Sequence, residues 1–229
     1  MTKRLPGLQA TGSELSGTNI IYKLLTQLGN TQVKIEVSPV MRGVVDKPIQ
    51  LETLAQTQDV FGYASVPVVS FNDLYAGKLC AALNRQHPRD LFDMTILFRN
   101  EGISDELLSV FLVYLVCGNR PIAELLAPIE QSIDQAFFQE FQGMTTESVP
   151  MEELQSARSL MVKQINEMLT DKRKQFLLTF KQGKPDWSLL NMHGIEQLPT
   201  IQWKLHNIRK MSKHKHKVAL DKLEKVLYG

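Results

Sequence analysis

The chain has 229 residues, of which 43% are hydrophobic and 22% charged, and its net charge is +2. This composition is typical of one large globular domain or two small ones in close contact. The longest strongly apolar run, residues 107–117, is too short to cross a bilayer, and the N-terminus has no signal-peptide core. We therefore expect a cytoplasmic protein with no membrane partner, and the two cysteines favour a reducing compartment.

Charge is distributed unevenly along the chain. Residues 101–153 contain ten acidic residues and one basic residue, whereas residues 154–229 contain fifteen basic and six acidic ones. A basic segment of this kind indicates either a polyanionic partner or a solvated helical face. The charge count by itself favours the solvated face.

The N-terminal part of the sequence predicts strands. In "TQVKIEVSPV", Val33, Ile35 and Val37 alternate with polar residues, which predicts a half-buried strand that ends at Pro39. The segment "KPIQLETL" predicts a short extended piece, and "YASVPVVSF" is a β-branched run ending at Phe71.

Helical patterns follow in chain order. "NDLYAGKLCAALNR" predicts a helix with Asn72 or Asp73 as N-cap, and "HPRDLFDMTILFRN" a second one with Pro88 in its first turn. "ISDELLSVFLVYLVCG" predicts a buried helix capped by Ser104, with acidic residues that suit the helix dipole. The C-terminal 30 or so residues predict one or two amphipathic helices. The change from strands to helices places a domain boundary near residue 100.

Ionisable residues are concentrated in the first two predicted helices. The short connection "NRQHP" could bring Lys78 opposite Asp93, and a lysine facing a carboxylate suits phosphoryl chemistry. The alternative is a cluster of salt bridges in which Arg85, Arg89, Asp90 and Asp93 pair among themselves. Such clusters are common, and spacing alone does not decide between the two interpretations.

Several segments resemble the AbiEii/AbiGii toxin family, whose members are nucleotidyltransferase-fold toxins of abortive-infection and toxin–antitoxin systems. The resemblance runs from about residue 30 to the C-terminus and is carried by "VKIEVSPVMRG", "VPVVSFNDLYAGKLCAALNRQHPRDLFDM", "PDWSLL" and "LPTIQWKLHNIRK". Lys78 in "GKLCAALNR" matches the family's helical lysine motif. Arg89, Asp90 and Asp93 in "RDLFD" match the motif that follows it.

The resemblance implies an α+β fold. We expect an incomplete nucleotidyltransferase-like mixed sheet with flanking helices over residues 1–100, followed by a helical domain with a basic C-terminal region over residues 101–229. It also implies transfer of a nucleotide from a nucleoside triphosphate to RNA with Mg²⁺, the acceptor in several relatives being the 3′ end of tRNA. A cognate antitoxin encoded nearby is expected, with or without direct contact.

The same resemblance implies roles for individual residues. Lys78, Asp93 and Asp90 are expected to be catalytic, and Lys78 binds the triphosphate together with Arg85 and Arg89. Glu36 and Asp93 are the expected metal ligands, with Glu36 as a carboxylate on a later strand of the sheet.

The family's first two motifs, a glycine-rich phosphate turn and an Asp-x-Asp pair, have no counterpart in the sequence. Gly12-Ser13 and Gly17-Thr18 are present, but no Asp-x-Asp pair follows them. We therefore expect that the segment with these motifs is missing. Two hypotheses stay open: a nucleotidyltransferase, and a non-catalytic remnant that binds RNA or a protein partner through its basic helical half.

Aromatic and histidine residues outside these motifs have two interpretations each. Trp187 and Trp203 could stack on bases, but packing is the commoner role of tryptophan. His206, His214 and His216 lie among lysines, which favours a solvated or RNA-facing surface over a metal site. His87, which precedes Pro88, is interpreted as a loop residue rather than a ligand.

Overall fold

The computed structural model describes residues 6–14, 21–36 and 43–229. They belong to two compact units, Met1–Arg42 and Gly43–Gly229, which are described separately. The fold is α+β, as predicted, with small antiparallel sheets in the N-terminal part and a helical C-terminal region.

The first unit contains a three-stranded antiparallel sheet in the order β1-β2-β3. Its strands are β1 Gln9–Glu14, β2 Ile21–Leu28 and β3 Thr31–Glu36. The strand predicted from the alternation around Val33 is β3, but the prediction that it is half-buried is wrong. All six residues of β3 are exposed, and Val33 is 52% exposed, because its apolar side meets no described residue that covers it. Val37 and Pro39 lie outside the described residues.

The second unit begins with a hairpin. Strands β4 Ile49–Glu52 and β5 Ser65–Val68 pair antiparallel, with Ile49 opposite Val68 and Glu52 opposite Ser65. Helix α1 Ala55–Phe61 forms the connection between them and buries none of its residues. These strands confirm the two extended segments that the sequence predicts.

The remainder of the second unit is helical. Its helices are α2 Phe71–Arg85, α3 Pro88–Asn100, α4 Asp105–Cys117, α5 Ile122–Leu126, α6 Asp134–Ala136, α7 Met151–Glu167, α8 Asp171–Lys181, α9 Pro199–Arg209 and α10 Lys213–Tyr228. A π-turn, Phe137–Phe141, continues α6, and short 3-10 turns lie at Trp187–Leu189 and Ile195–Gln197. None of the helices in the described ranges is both long and apolar enough to span a membrane.

The core is centred on α4, as its apolar sequence predicts. Eight of its residues are buried, and Ser104 caps it by accepting a hydrogen bond from the Leu107 backbone N–H. Helices from both sides of residue 100 share this core, since Leu79 and Leu91 are as fully buried as Leu108. The domain boundary near residue 100 stays a prediction.

The caps of the two charged helices differ in one respect from expectation. Helix α3 has Pro88 at its first position and His87 as N-cap, whose Nδ1 accepts from the Arg89 backbone N–H at 3.2 Å. Helix α2 begins at Phe71, and its N-cap is Ser70 rather than Asn72 or Asp73. The Ser70 hydroxyl accepts from the Asp73 backbone N–H at 3.0 Å, which leaves the Asp73 carboxylate available for other contacts.

That carboxylate joins three segments of the second unit. Asp73 is 3% exposed, and its Oδ1 accepts from the Val45 backbone N–H and the Tyr114 hydroxyl, each at 2.8 Å. Its Oδ2 accepts from the Asp46 backbone N–H at 2.9 Å and from the Ser70 hydroxyl at 3.0 Å. Because a buried carboxylate is stable only when its oxygens are hydrogen-bonded, these contacts hold the segment around Val45 against α2 and α4.

We predict that Asp73→Ala lowers the free energy of unfolding by about 3 kcal/mol, because it leaves buried hydrogen-bond donors without an acceptor. Urea denaturation followed by circular dichroism measures the change. Asp59→Ala, on the exposed surface of α1, is the matched control and should leave the midpoint in place. Equal midpoints for the two variants would show that the Asp73 contacts are not structurally important.

Candidate active site

The corner between α2 and α3 sets the geometry of the charged stretch. Gln86, the residue that follows α2, is 2% exposed and has a left-handed backbone with φ of 50°. Its side-chain amide donates to the Ile129 carbonyl at 2.8 Å and accepts from the Gln131 backbone N–H at 3.1 Å. Arg158 donates to the same amide oxygen at 3.1 Å. These bonds offset the strain of the left-handed residue. Helix α3 follows two residues after α2 and packs against it.

Lys78 and Asp93 meet across the two helices, as the sequence suggests. The Lys78 ammonium Nζ lies 2.6 Å from Asp93 Oδ2, and the side chains are 30% and 35% exposed. A pair at this depth is neither fully solvated nor sealed from water. An anionic ligand can therefore reach the ammonium from outside.

The neighbouring charges are paired differently. Arg85 binds Asp90 through two bonds, Nε to Oδ2 at 2.9 Å and Nη2 to Oδ1 at 2.6 Å. Asp90 is nearly buried, whereas the Arg85 side chain is 63% exposed. Arg89 binds Glu140 at 2.9 Å, and His87 lies 3.3 Å from the same carboxylate. The salt-bridge interpretation therefore applies to Arg85 and Asp90, while Asp93 pairs with Lys78.

Tyr75 is a neighbour of the pair that sequence reasoning did not identify. Burial raises the pKa of its hydroxyl, as do the carboxylates of Glu101 and Asp93, while the Lys78 ammonium lowers it. Its spacing of three residues from Lys78 on one helix was the available signal, because such residues share a face. The phenol is therefore a potential hydrogen-bond donor beside the Lys78–Asp93 pair.

The predicted metal ligands belong to different units. Glu36 ends β3 of the first unit and pairs with Lys34 at 3.1 Å, with both side chains about half exposed. Asp93 belongs to the second unit. Within residues 6–14, 21–36 and 43–229, no three acidic, histidine or cysteine side chains cluster closely enough to hold a metal ion. The described residues therefore do not by themselves fit a magnesium site, and the Glu36–Asp93 assignment stays a prediction.

Comparison with known families decides what kind of protein carries this pair. The family model described as "Nucleotidyl transferase AbiEii toxin, Type IV TA system" matches residues 5–207. The chain belongs to the AbiEii family. Searches of curated proteins and of solved structures gave no significant match.

The AbiEii match extends into α9, next to the basic end of the chain. Trp203 on α9 is 65% exposed and stacks on His206 at 5.9 Å between ring centroids. Trp187, by contrast, packs against Phe176 and Phe180, which agrees with the packing interpretation for that residue. Helix α10 begins with "KHKHK" and has no acidic residue in its first turn.

A pocket of about 290 Å³ lies beside this basic helix, between α5, the end of α8 and α10. Lys181 lines it together with Lys215 and Lys222, and burial lowers the pKa of Lys181. Lys222 binds Glu124 at 2.9 Å, and this contact lowers the pKa of Glu124. The basic residues of this part of the AbiEii chain are therefore partly clustered and only partly neutralised.

The pKa of Tyr75 offers a direct test of the Lys78–Asp93 pair in solution. Asp93→Asn should lower the pKa of Tyr75, since it removes a carboxylate that disfavours the phenolate, and Lys78→Ala should raise it. Carbon-13 NMR of labelled tyrosine against pH measures both shifts. Asp186→Asn, a charge change on an exposed loop residue, should leave the Tyr75 titration unchanged. Shifts of the opposite sign would contradict the arrangement.

Proposed function

We propose that the chain transfers a nucleotide from a nucleoside triphosphate to RNA, with the 3′ end of tRNA as acceptor. The observation that carries the proposal is the contact of Lys78 with Asp93 at 2.6 Å in a chain of the AbiEii nucleotidyl transferase family. Type IV toxin–antitoxin membership further supports a cognate antitoxin, with or without direct contact with this chain.

In the proposed reaction the 3′ hydroxyl oxygen of the acceptor attacks the α-phosphorus of the triphosphate. A new P–O bond forms, the bond between the α-phosphorus and the bridging oxygen breaks, and pyrophosphate leaves with the bond's electron pair. When Lys78 turns to the triphosphate, its contact with Asp93 breaks. The free carboxylate of Asp93 then accepts the hydroxyl proton. The ammonium then offsets charge that develops on the phosphate oxygens.

Arg85 and Asp90 have complementary roles in the proposal. Both oxygens of Asp90 are bound by Arg85, so Asp90 positions the guanidinium instead of touching the substrate. The exposed guanidinium retains N–H donors for a phosphate. Arg89, held by Glu140, is a second cation for the triphosphate.

The resemblance to nucleotidyltransferases implies Mg²⁺, which would supply charge neutralisation at the triphosphate. The expected ligands on this chain are Asp93 and Glu36. Since the described residues do not form a complete ligand set, the proposed reaction is assigned only to the chain's own side chains.

The RNA acceptor is proposed to dock on the basic C-terminal region. Exposed Trp203 offers a face on which a base can stack, and the lysines at the start of α10 can contact phosphates. Trp203 and these lysines lie on the consecutive helices α9 and α10 of the basic segment, and the proposal assigns both to the acceptor.

A second candidate function is a non-catalytic RNA- or partner-binding module. The observation that favours it is that Asp90 and Asp93 each already bind a cation. On this view the pairs stabilise the corner between α2 and α3, and only the basic region is functional.

Incubation with labelled nucleoside triphosphates, Mg²⁺ and total tRNA tests the transferase. We expect label in RNA, and a loss of at least about 100-fold in Lys78→Ala, because general acid–base and charge-stabilising groups contribute at this level. Lys163→Ala, whose side chain is exposed on α7, should retain activity. If the wild-type chain labels no RNA with any of the four nucleotides, the transferase proposal fails.

RNA binding is tested separately, without nucleotide. Replacing Lys213, Lys215 and Lys217 with glutamine should weaken tRNA binding and reduce the slope of log affinity against log salt by about 2 to 3, one step per lost phosphate contact. Trp203→Ala should weaken binding at every salt concentration. Glutamine at Lys34, Lys47 and Lys163, three exposed lysines outside this region, is the charge-matched control. An unchanged slope in the triple variant would place the RNA elsewhere.

A further inference from the structure

The hairpin β4–β5 and its connecting helix form the least buried part of the second unit. Helix α1 has seven residues, none of them buried, and Phe61 is 83% exposed. Isolated helices of this length and isolated two-stranded hairpins are only marginally stable in water. We therefore expect the segment from Ile49 to Val68 to gain stability from contact with another chain.

The two faces of the hairpin differ in polarity. Residues opposite one another across an antiparallel pair lie on the same face, so Ile49, Leu51, Val66 and Val68 form one face. The other face is formed by Gln50, Glu52, Ser65 and Pro67. Leu51 is 46% exposed, so the residues that the structure describes leave the apolar face uncovered.

The two outer edges of the hairpin also differ. The Thr53 backbone N–H donates to the Ala64 carbonyl at 2.9 Å, which fixes the alternation of the ladder. By that alternation the backbone groups of Gln50 and Glu52 point outward from β4, and those of Ser65 and Pro67 point outward from β5. Proline has no N–H, so the β5 edge is blocked at Pro67, whereas the β4 edge carries all its donors and acceptors.

We propose that β4 pairs antiparallel with β4 of a second copy of this chain, forming a symmetric four-stranded sheet in the order β5-β4-β4-β5. The occupant is a second copy because the edge is self-complementary. A twofold axis at Leu51 places Gln50 opposite Glu52 of the other copy, so that the outward backbone groups of both residues are satisfied.

The side chains fit the same register. Each Glu52 faces an amide that can donate to it rather than another carboxylate, which avoids like charges in direct opposition. The Tyr63 hydroxyl donates to Glu52 Oε1 at 3.0 Å and holds that carboxylate on the polar face. On the apolar face the two Leu51 side chains meet at the axis, and the two apolar strips become continuous.

Sedimentation equilibrium of the full chain tests the proposal. We expect a concentration-dependent species of twice 26.0 kDa. Gln50→Pro removes an outward N–H from β4 without removing a bond of the hairpin and should abolish the dimer. Ser65→Pro makes the same change on the outer edge of β5 and should leave the dimer intact, which makes it the matched control.

A cysteine placed at the axis gives an independent readout that does not depend on a proline variant folding. In the proposed register the Leu51 Cα atoms of the two copies lie about 4.5 Å apart, within reach of a disulfide. Leu51→Cys should therefore cross-link the copies on mild oxidation. Val66→Cys, whose copies lie about 14 Å apart across three strand spacings, should not.

Three outcomes would overturn the proposal: a monomer at every concentration, a dimer that Gln50→Pro and Ser65→Pro affect equally, or equal cross-linking of the two cysteine variants and the wild type. The second and third would indicate that another surface or another partner covers the hairpin. None of these measurements depends on nucleotide transfer, so a failure here is distinct from a failure of the proposed function.

Discussion

The corner at Gln86 is the constraint on which the candidate active site depends. A non-glycine residue in the left-handed conformation is unfavourable, and it persists here because the buried amide of Gln86 forms hydrogen bonds with the 129–131 segment and with Arg158. The reversal it produces brings helices α2 and α3 side by side. Only this reversal places Lys78 within 2.6 Å of Asp93.

The charged pairs around this corner differ in how much of their bonding capacity is used. Asp90 has both oxygens bound by Arg85 and little contact with water, and in the proposed site it holds Arg85. The Lys78–Asp93 pair has a single close contact and is reached by solvent. Partly exposed pairs contribute little to stability, and this supports the proposal that Lys78 and Asp93 act on a substrate.

Apolar patterning and actual burial agree in the helical core and disagree in the strands. Helix α4 is apolar on most sides and is buried, because neighbouring helices surround it. Strand β3 alternates as a half-buried strand should, yet Val33 and Ile35 are exposed. The hairpin β4–β5 repeats the disagreement. Alternation reports the local preference of a strand for a pleated surface with one apolar face, but the partner that covers that face is a separate matter.

The sequence by itself determined strands β3–β5, helices α2–α4, the capping of α4 by Ser104, the start of α3 at Pro88 and membership of the family, because these depend on local patterns and motifs. It did not determine the Ser70 cap, the Asp73 contacts, the partner of Arg89 or the place of Tyr75. Glu140 lies 51 residues from Arg89, and Tyr114 lies 41 from Asp73. Contacts over such separations are created only when the helices pack, since no local pattern encodes which distant side chain satisfies a given charge.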